Sequence, residues 1–203
     1  MKRLIPFAAA SLFALGFSST SVADVEAMMA DCNGCHGDDG VSQWTDVPSI
    51  GGFPEFVHVD ALYVYQDEAR PCAESEYRQG DTSKPATTMC AIAAEMSEDD
   101  IDAIAAAYAA LPYVKAKQDF DADLAAAGQA LHEEHCDRCH SEAGTNPEDE
   151  AGMLGGQMMG YLATTMAQYQ AGEREMPKKM KEKVDLLSGD DVKALVNYYG
   201  SIQ

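Results

Sequence analysis

Two five-residue stretches of the chain, Cys32-Asn33-Gly34-Cys35-His36 and Cys136-Asp137-Arg138-Cys139-His140, repeat one pattern, C-x-x-C-H, at an offset of 104 residues. Two thiols one helical turn apart can add to the two vinyl groups of one porphyrin, and the next side chain is then placed to reach the iron. The pattern therefore points to covalent haem c, held twice. Cys32, Cys35, Cys136 and Cys139 are the expected attachment residues, and His36 and His140 the expected proximal ligands. The rival reading is zinc bound by the two C-x-x-C pairs. It needs four thiolates converging on one ion, and it gives the two histidines no shared reason.

The start of the chain reads as a leader. Met1-Lys2-Arg3 is basic, Leu4 to Phe17 is apolar, and Ser21-Val22-Ala23 is a small-x-small cleavage site. The apolar run covers 14 positions, fewer than the ~20 needed to span a bilayer, so no membrane anchor is expected. An exported, periplasmic protein cleaved after Ala23 is the expectation. The whole chain carries 34 acidic against 14 basic side chains, a formal −20, and loss of Lys2 and Arg3 with the leader makes it −22. Such a surface excludes nucleic acid as a partner. It serves chiefly to keep an exported protein solvated, and it can also steer a redox partner with a basic rim. With 46% hydrophobic residues and a mean hydropathy of −0.26, the 203-residue chain has enough apolar material for a core or for two small ones.

The haem motifs are the anchor of an internal repeat. At the offset of 104, Ile50-Gly51-Gly52-Phe53 falls on Leu154-Gly155-Gly156-Gln157; further on the offset becomes 91, where Met89, Ser97, Asp100, Ile101 and Tyr108 fall on Met180, Ser188, Asp191, Val192 and Tyr199. The first copy thus holds 13 extra residues between its histidine and this block. Each copy reads as a helix leading into the motif (Val25 to Ala30; Asp123 to His135), glycine-rich loops with one short helix, and a final amphipathic helix. That last helix starts at a serine cap followed by acids, Ser97-Glu98-Asp99-Asp100 and Ser188-Gly189-Asp190-Asp191. No sustained alternation suggests strands. The expectation is an all-α protein in two tandem domains, residues 24–111 and 121–203, joined by a linker at 112–120 after a leader at 1–23.

A haem that carries electrons usually needs a second axial donor, and a thioether favours ferrous iron. Of 11 methionines, the repeat singles out Met89 and Met180, each eight residues before the serine cap and expected in a loop. Met176 is the rival in the second copy, because Met176-Pro177 resembles the Met-Pro of many small cytochromes c; the register opposes it. Met96, Met158, Met159 and Met166 are expected to fill core space or line a crevice. His58, His132 and His135 have no repeat counterpart and are expected at the surface or on helix faces. Cys72 lies among the extra residues and Cys90 directly follows Met89. A disulfide between them would pin the extra residues to the ligand segment, worth about 3 kcal/mol in the chain-entropy account.

These residues together resemble the class I cytochrome c fold, and their tandem order resembles the dihaem cytochrome c4 family. Phe120-Asp121-Ala122-Asp123-Leu124, the run Leu131 to Cys136, and Arg174-Glu175-Met176-Pro177-Lys178-Lys179-Met180 are similar to the cytochrome subunit of flavocytochrome c sulfide dehydrogenase. The resemblance covers nearly the whole chain after the leader and is most specific in the second half. It implies a relay that accepts electrons from a sulfide-oxidising flavoprotein carrying FAD and passes them to a soluble cytochrome acceptor. No G-x-G-x-x-G follows a strand here, so the flavin would belong to a separate polypeptide. It also implies that a proline carbonyl orients the proximal histidine. Pro48 fits that role, while Gly152 stands at its counterpart and would have to serve through its own backbone carbonyl. A free-standing c4-like carrier is the alternative, and a dihaem peroxidase a third reading that methionine at both repeat positions opposes.

Overall fold

The computed structural model describes residues 22–149 and 151–203; residues 1–21 of the expected leader lie outside them. Each half is built of helices. The first contains α1 (Val22–His36), α2 (Glu55–Gln66), α3 (Met89–Ala94) and α4 (Glu98–Ala109). The second contains α5 (Ala122–His135), a single turn α6 (Ser141–Gly144), α7 (Met159–Ala171), α8 (Lys178–Val184) and α9 (Gly189–Ser201). The helix expected over Val25 to Ala30 runs on through the haem motif to His36, whereas α5 stops one residue short of Cys136.

The first and last helices of each half pack on one another, α1 on α4 and α5 on α9. Gly128 marks the closeness of the second crossing, since a Cβ there would meet the Ala194 carbonyl O. Both final helices begin with a complete capping box: Ser97 accepts from Asp100 N–H and Ser188 from Asp191 N–H (3.2 Å each), and each aspartate accepts in return. Their buried faces follow the helical period. Ile101, Ile104, Ala105 and Tyr108 lie in the first core, with Val192, Leu195, Val196 and Tyr199 at the matching positions of the second.

The repeat is visible in hydrogen bonds as well as in sequence. Ile50 N–H donates to Gly40 O and Leu154 N–H to Gly144 O, both at 2.7 Å, while Gly52 N–H donates to Tyr108 O and Gly156 N–H to Tyr199 O at 2.9 and 2.8 Å. Gly52 and Gly156 both have φ near +80°, at 76° and 83°, a conformation that selects glycine. Gln66 in α2 donates to Met96 O and Gln170 in α7 to Leu187 O. Fold and repeat thus agree on two helical domains in tandem.

The extra residues of the first copy form a flap. Its base is the Cys72–Cys90 disulfide, with a Cα–Cα distance of 5.7 Å. Beside it runs a two-residue antiparallel ladder, β1 (Glu74–Ser75) with β2 (Thr87–Thr88), the one departure from the expected absence of strands. The halves meet along a polar seam. Ser49 N–H donates to Gln157 Oε1 and Gln157 Nε2 donates back to Ser49 O, both at 2.9 Å, with Gln157 fully buried. Tyr161 N–H and Gly160 N–H close the seam on Thr45, at 2.7 and 3.0 Å.

Candidate functional site

In both halves the motif histidine is held by a backbone carbonyl twelve residues further on. The Nδ1–H of His36 donates to Pro48 O at 2.9 Å and that of His140 to Gly152 O at 3.2 Å. A carbonyl only accepts, so Nδ1 carries the proton and Nε2 keeps the lone pair in each ring. Burial pushes both imidazoles toward the neutral form, with the carbonyl opposing; neutral imidazole is the form that ligates metal. Gly152 therefore orients its histidine without a proline ring, as its position in the repeat requires.

The four motif cysteines take no part in a disulfide, and the disulfide joins Cys72 to Cys90. Burial raises the Cys32 thiol to about 11. Among the described residues no group of three or more His, Cys, Asp or Glu side chains gathers where it could hold a metal ion, so the C-x-x-C pairs do not converge as a tetrathiolate zinc site demands. Each first cysteine has the tyrosine of the last helix near it, Tyr108 by Cys32 and Tyr199 by Cys136. Tyr108 OH donates to Asn33 Oδ1 at 2.7 Å inside the motif, and Tyr199 OH pairs with His132 Nδ1 at 3.0 Å.

The methionines sit on short helices, not in loops. Met89 opens α3, whose N-cap Thr88 accepts from Ala91 N–H, and Met180 lies in the first turn of α8; both are half-buried. A short helix presents a side chain as rigidly as a loop would, and the change leaves the repeat register intact. His58 and His132 also differ from expectation: they lie on helix faces but are buried, 9% and 1% exposed. His58 takes the place that Leu162 fills in the second domain and packs against Phe53 and Tyr108. Burial, helped by the nearby His36, lowers it to about 4, so it serves as a neutral core residue. His135 is half-buried, and its Nε2 lies 3.7 Å from Glu134.

The structure also assembles a cluster that the expectations above did not contain. Arg70 stacks over the Tyr65 ring at 4.3 Å and Arg174 over Tyr169 at 4.8 Å, and the Tyr161 phenol lies against both guanidiniums. Burial disfavours a phenolate at Tyr161, yet the two arginines outweigh it and bring the phenol down to about 8. Arg70 Nε and Arg174 Nη1 are buried with no hydrogen-bond partner. A buried guanidinium at Arg70 and a half-buried one at Arg174, each with an unpartnered buried nitrogen, call for an anion, and haem c brings two carboxylates. The sequence did contain a signal: Tyr65, Gln66 and Arg70 stand 104 residues before Tyr169, Gln170 and Arg174. That register also narrows the extra residues to the segment between Arg70 and Met89.

The residues thus fit a covalent haem in each domain: cysteine pairs for attachment, a histidine with an oriented lone pair, a methionine in register, and arginines for the carboxylates. Residues 123–198 match the family model described as cytochrome c oxidase, cbb3-type, subunit III. The chain is 27% identical over 182 residues to the thiosulfate dehydrogenase electron acceptor of Stutzerimonas stutzeri (strain A1501), covering 84% of this chain and 78% of that protein. Among solved structures it resembles reduced recombinant cytochrome c4 from Pseudomonas stutzeri, with a TM-score of 0.70, 23% identity, and coverage of 92% of this chain and 100% of that one. Cytochrome c4 from Acidithiobacillus ferrooxidans gives a TM-score of 0.68 at 21% identity, covering 85% of this chain and 99% of that one. Thiosulfate dehydrogenase from Marichromatium purpuratum, of which this chain spans 36%, gives 0.64 at 24% identity over 84% of this chain. The chain has the fold of cytochrome c4, class I cytochrome c domains in tandem.

Proposed function

We propose that this chain is an exported, periplasmic dihaem relay that accepts electrons from a dehydrogenase of reduced sulfur compounds and hands them to a soluble cytochrome. The observation that carries the reading is the matched pair of oriented histidines, His36 on Pro48 and His140 on Gly152, each the last residue of a C-x-x-C-H motif. Haem c, when bound, supplies a one-electron iron couple at each motif. Cys32, Cys35, Cys136 and Cys139 would hold it, and His36 and Met89 in the first domain, with His140 and Met180 in the second, would donate to its iron. Arg70 and Arg174 would take its carboxylates and raise the potential by opposing positive charge on the iron. Among the described residues no helix is long and apolar enough to cross a membrane.

Similarity to a thiosulfate dehydrogenase electron acceptor supports thiosulfate as the compound oxidised by the partner. A second reading has a flavoprotein sulfide dehydrogenase as the donor, supported by the stretch Arg174 to Met180 and by the run into Cys136. Purification from the source organism, with haem absorbance followed on adding thiosulfate or sulfide, separates them. Reduction by thiosulfate together with a co-eluting haem dehydrogenase supports the first, and reduction by sulfide with a co-eluting flavin polypeptide supports the second. Reduction by neither, in a protein that dithionite fully reduces, leaves a free-standing carrier.

A further inference from the structure

The two attachment faces are built unalike. In the first domain the flap lies on the motif: Arg78 N–H and Gln79 N–H both donate to Gly34 O, at 2.8 and 3.1 Å. The Tyr77 ring rests where a Gly34 Cβ would be, 2.6 Å from that point. Arg78 grips Asp46 through two bonds of 2.7 and 2.6 Å, Gln79 donates to Asp38 at 2.8 Å, and Lys84 pairs with Asp31. Only glycine at position 34 admits this packing. Its counterpart in the second domain is Arg138, which is exposed, as is Cys139, while Cys35 is half-covered.

Charge differs between the faces in the same sense. Residues 24–111 hold 18 acidic and 3 basic side chains, a formal −15, and residues 121–203 hold 15 and 7, a formal −8. Four of those seven are Lys178, Lys179, Lys181 and Lys183 on α8, all exposed. Lys181 pairs with Asp185, whereas Lys178, Lys179 and Lys183 make no hydrogen bond or ion pair among the described residues. Leu187, just past α8, lies in the core cluster against which Cys136 packs, which sets the end of α8 beside the second motif. Beside the lysines Leu186 is 65% exposed, the most exposed large apolar side chain described. An apolar point in a basic rim, next to an open attachment motif, has the make-up of a transient redox interface.

We propose that residues 71–88 close the first attachment face to protein partners, and that the chain exchanges electrons with an acidic-faced redox protein across the second, through Lys178, Lys179, Lys183 and Leu186. The proposal rests on the dihaem relay reading. The test is stopped-flow oxidation of the reduced holoprotein by ferricyanide, an anionic stand-in for such a partner, across ionic strength. The rate should fall with salt although the whole chain is strongly negative. The triple variant K178E/K179E/K183E should lower the low-salt rate about tenfold and reverse the slope. A wild-type rate that rises with salt, or a triple variant with unchanged rate and slope, overturns the docking site. For the flap, Tyr77→Ala, and independently C72S/C90S, should speed oxidation by cationic tris(phenanthroline)cobalt(III), which the acidic first domain attracts. Unchanged rates in both variants overturn the closing role. Haem content and the reduced spectrum are read first in every protein; absence of two haems per chain in the wild type defeats the relay reading itself, independently of these rates.

Discussion

At the scale of single residues, the six cysteines divide into two proposed fates, and a thiol count tests them together. If the four motif cysteines hold haem as proposed, the native chain, unfolded in denaturant, should show no reactive thiol, and two after reduction of the Cys72–Cys90 disulfide. Four thiols before reduction would mean that no haem is attached. His132 gives the pH dependence. Burial holds it below the ordinary histidine range, with Asp137 opposing, so the folded chain binds fewer protons there than the unfolded one. Its contribution to stability is complete above about pH 6.5 and declines as pH falls below it. His132→Gln, which can still meet Tyr199 OH, should flatten the acid side of a denaturant-midpoint profile. The cysteines and motif histidines were legible because spacing alone states their chemistry. The role of Arg70 and Arg174 was not, since an arginine's role depends on what it faces, and the phenol Tyr161 reaches Arg70 from the other domain; position 57, its counterpart, is valine.

Among elements, the caps and the flap are where sequence and structure bear most directly on each other. Ser97→Ala removes half of a capping box and should cost about 1 kcal/mol of stability by denaturant midpoint. Ser188→Ala should do the same in the second domain. Gly34→Ala tests the flap's seat without touching a thiol or a ligand. The new Cβ meets Tyr77 and the flap must lift, so amide exchange over residues 74–88 should accelerate while the rest of the chain keeps its protection. The helices were legible because apolar spacing and serine caps are local signals. Met89 and Met180 were read as loop residues because α3 and α8 are too short to show periodicity; α3 is fixed by its Thr88 cap and its place beside the disulfide. The tiny ladder of β1 and β2 was illegible for the same reason, being a consequence of closing the flap and not a cause.

For the molecule as a whole, the seam between the domains determines behaviour that neither domain's sequence announces. Gln157 satisfies both backbone groups of Ser49 from across the seam. Gln157→Ala should strand them in a buried place and cost roughly 2 kcal/mol or more, and calorimetry should show one thermal transition splitting into two. The repeat made the count of domains legible, whereas their contact was not, because Gln157 falls on Phe53 in the other copy and the pairing has no counterpart. Ser49 directly follows Pro48, whose carbonyl holds the His36 ring. The first histidine is therefore aimed by a loop that the other domain clasps. A gene fragment ending near residue 111 would encode a complete-looking domain whose motif histidine has lost its outside brace, and a redox titration of that fragment, once loaded with haem, would describe a different molecule from the one in the intact chain.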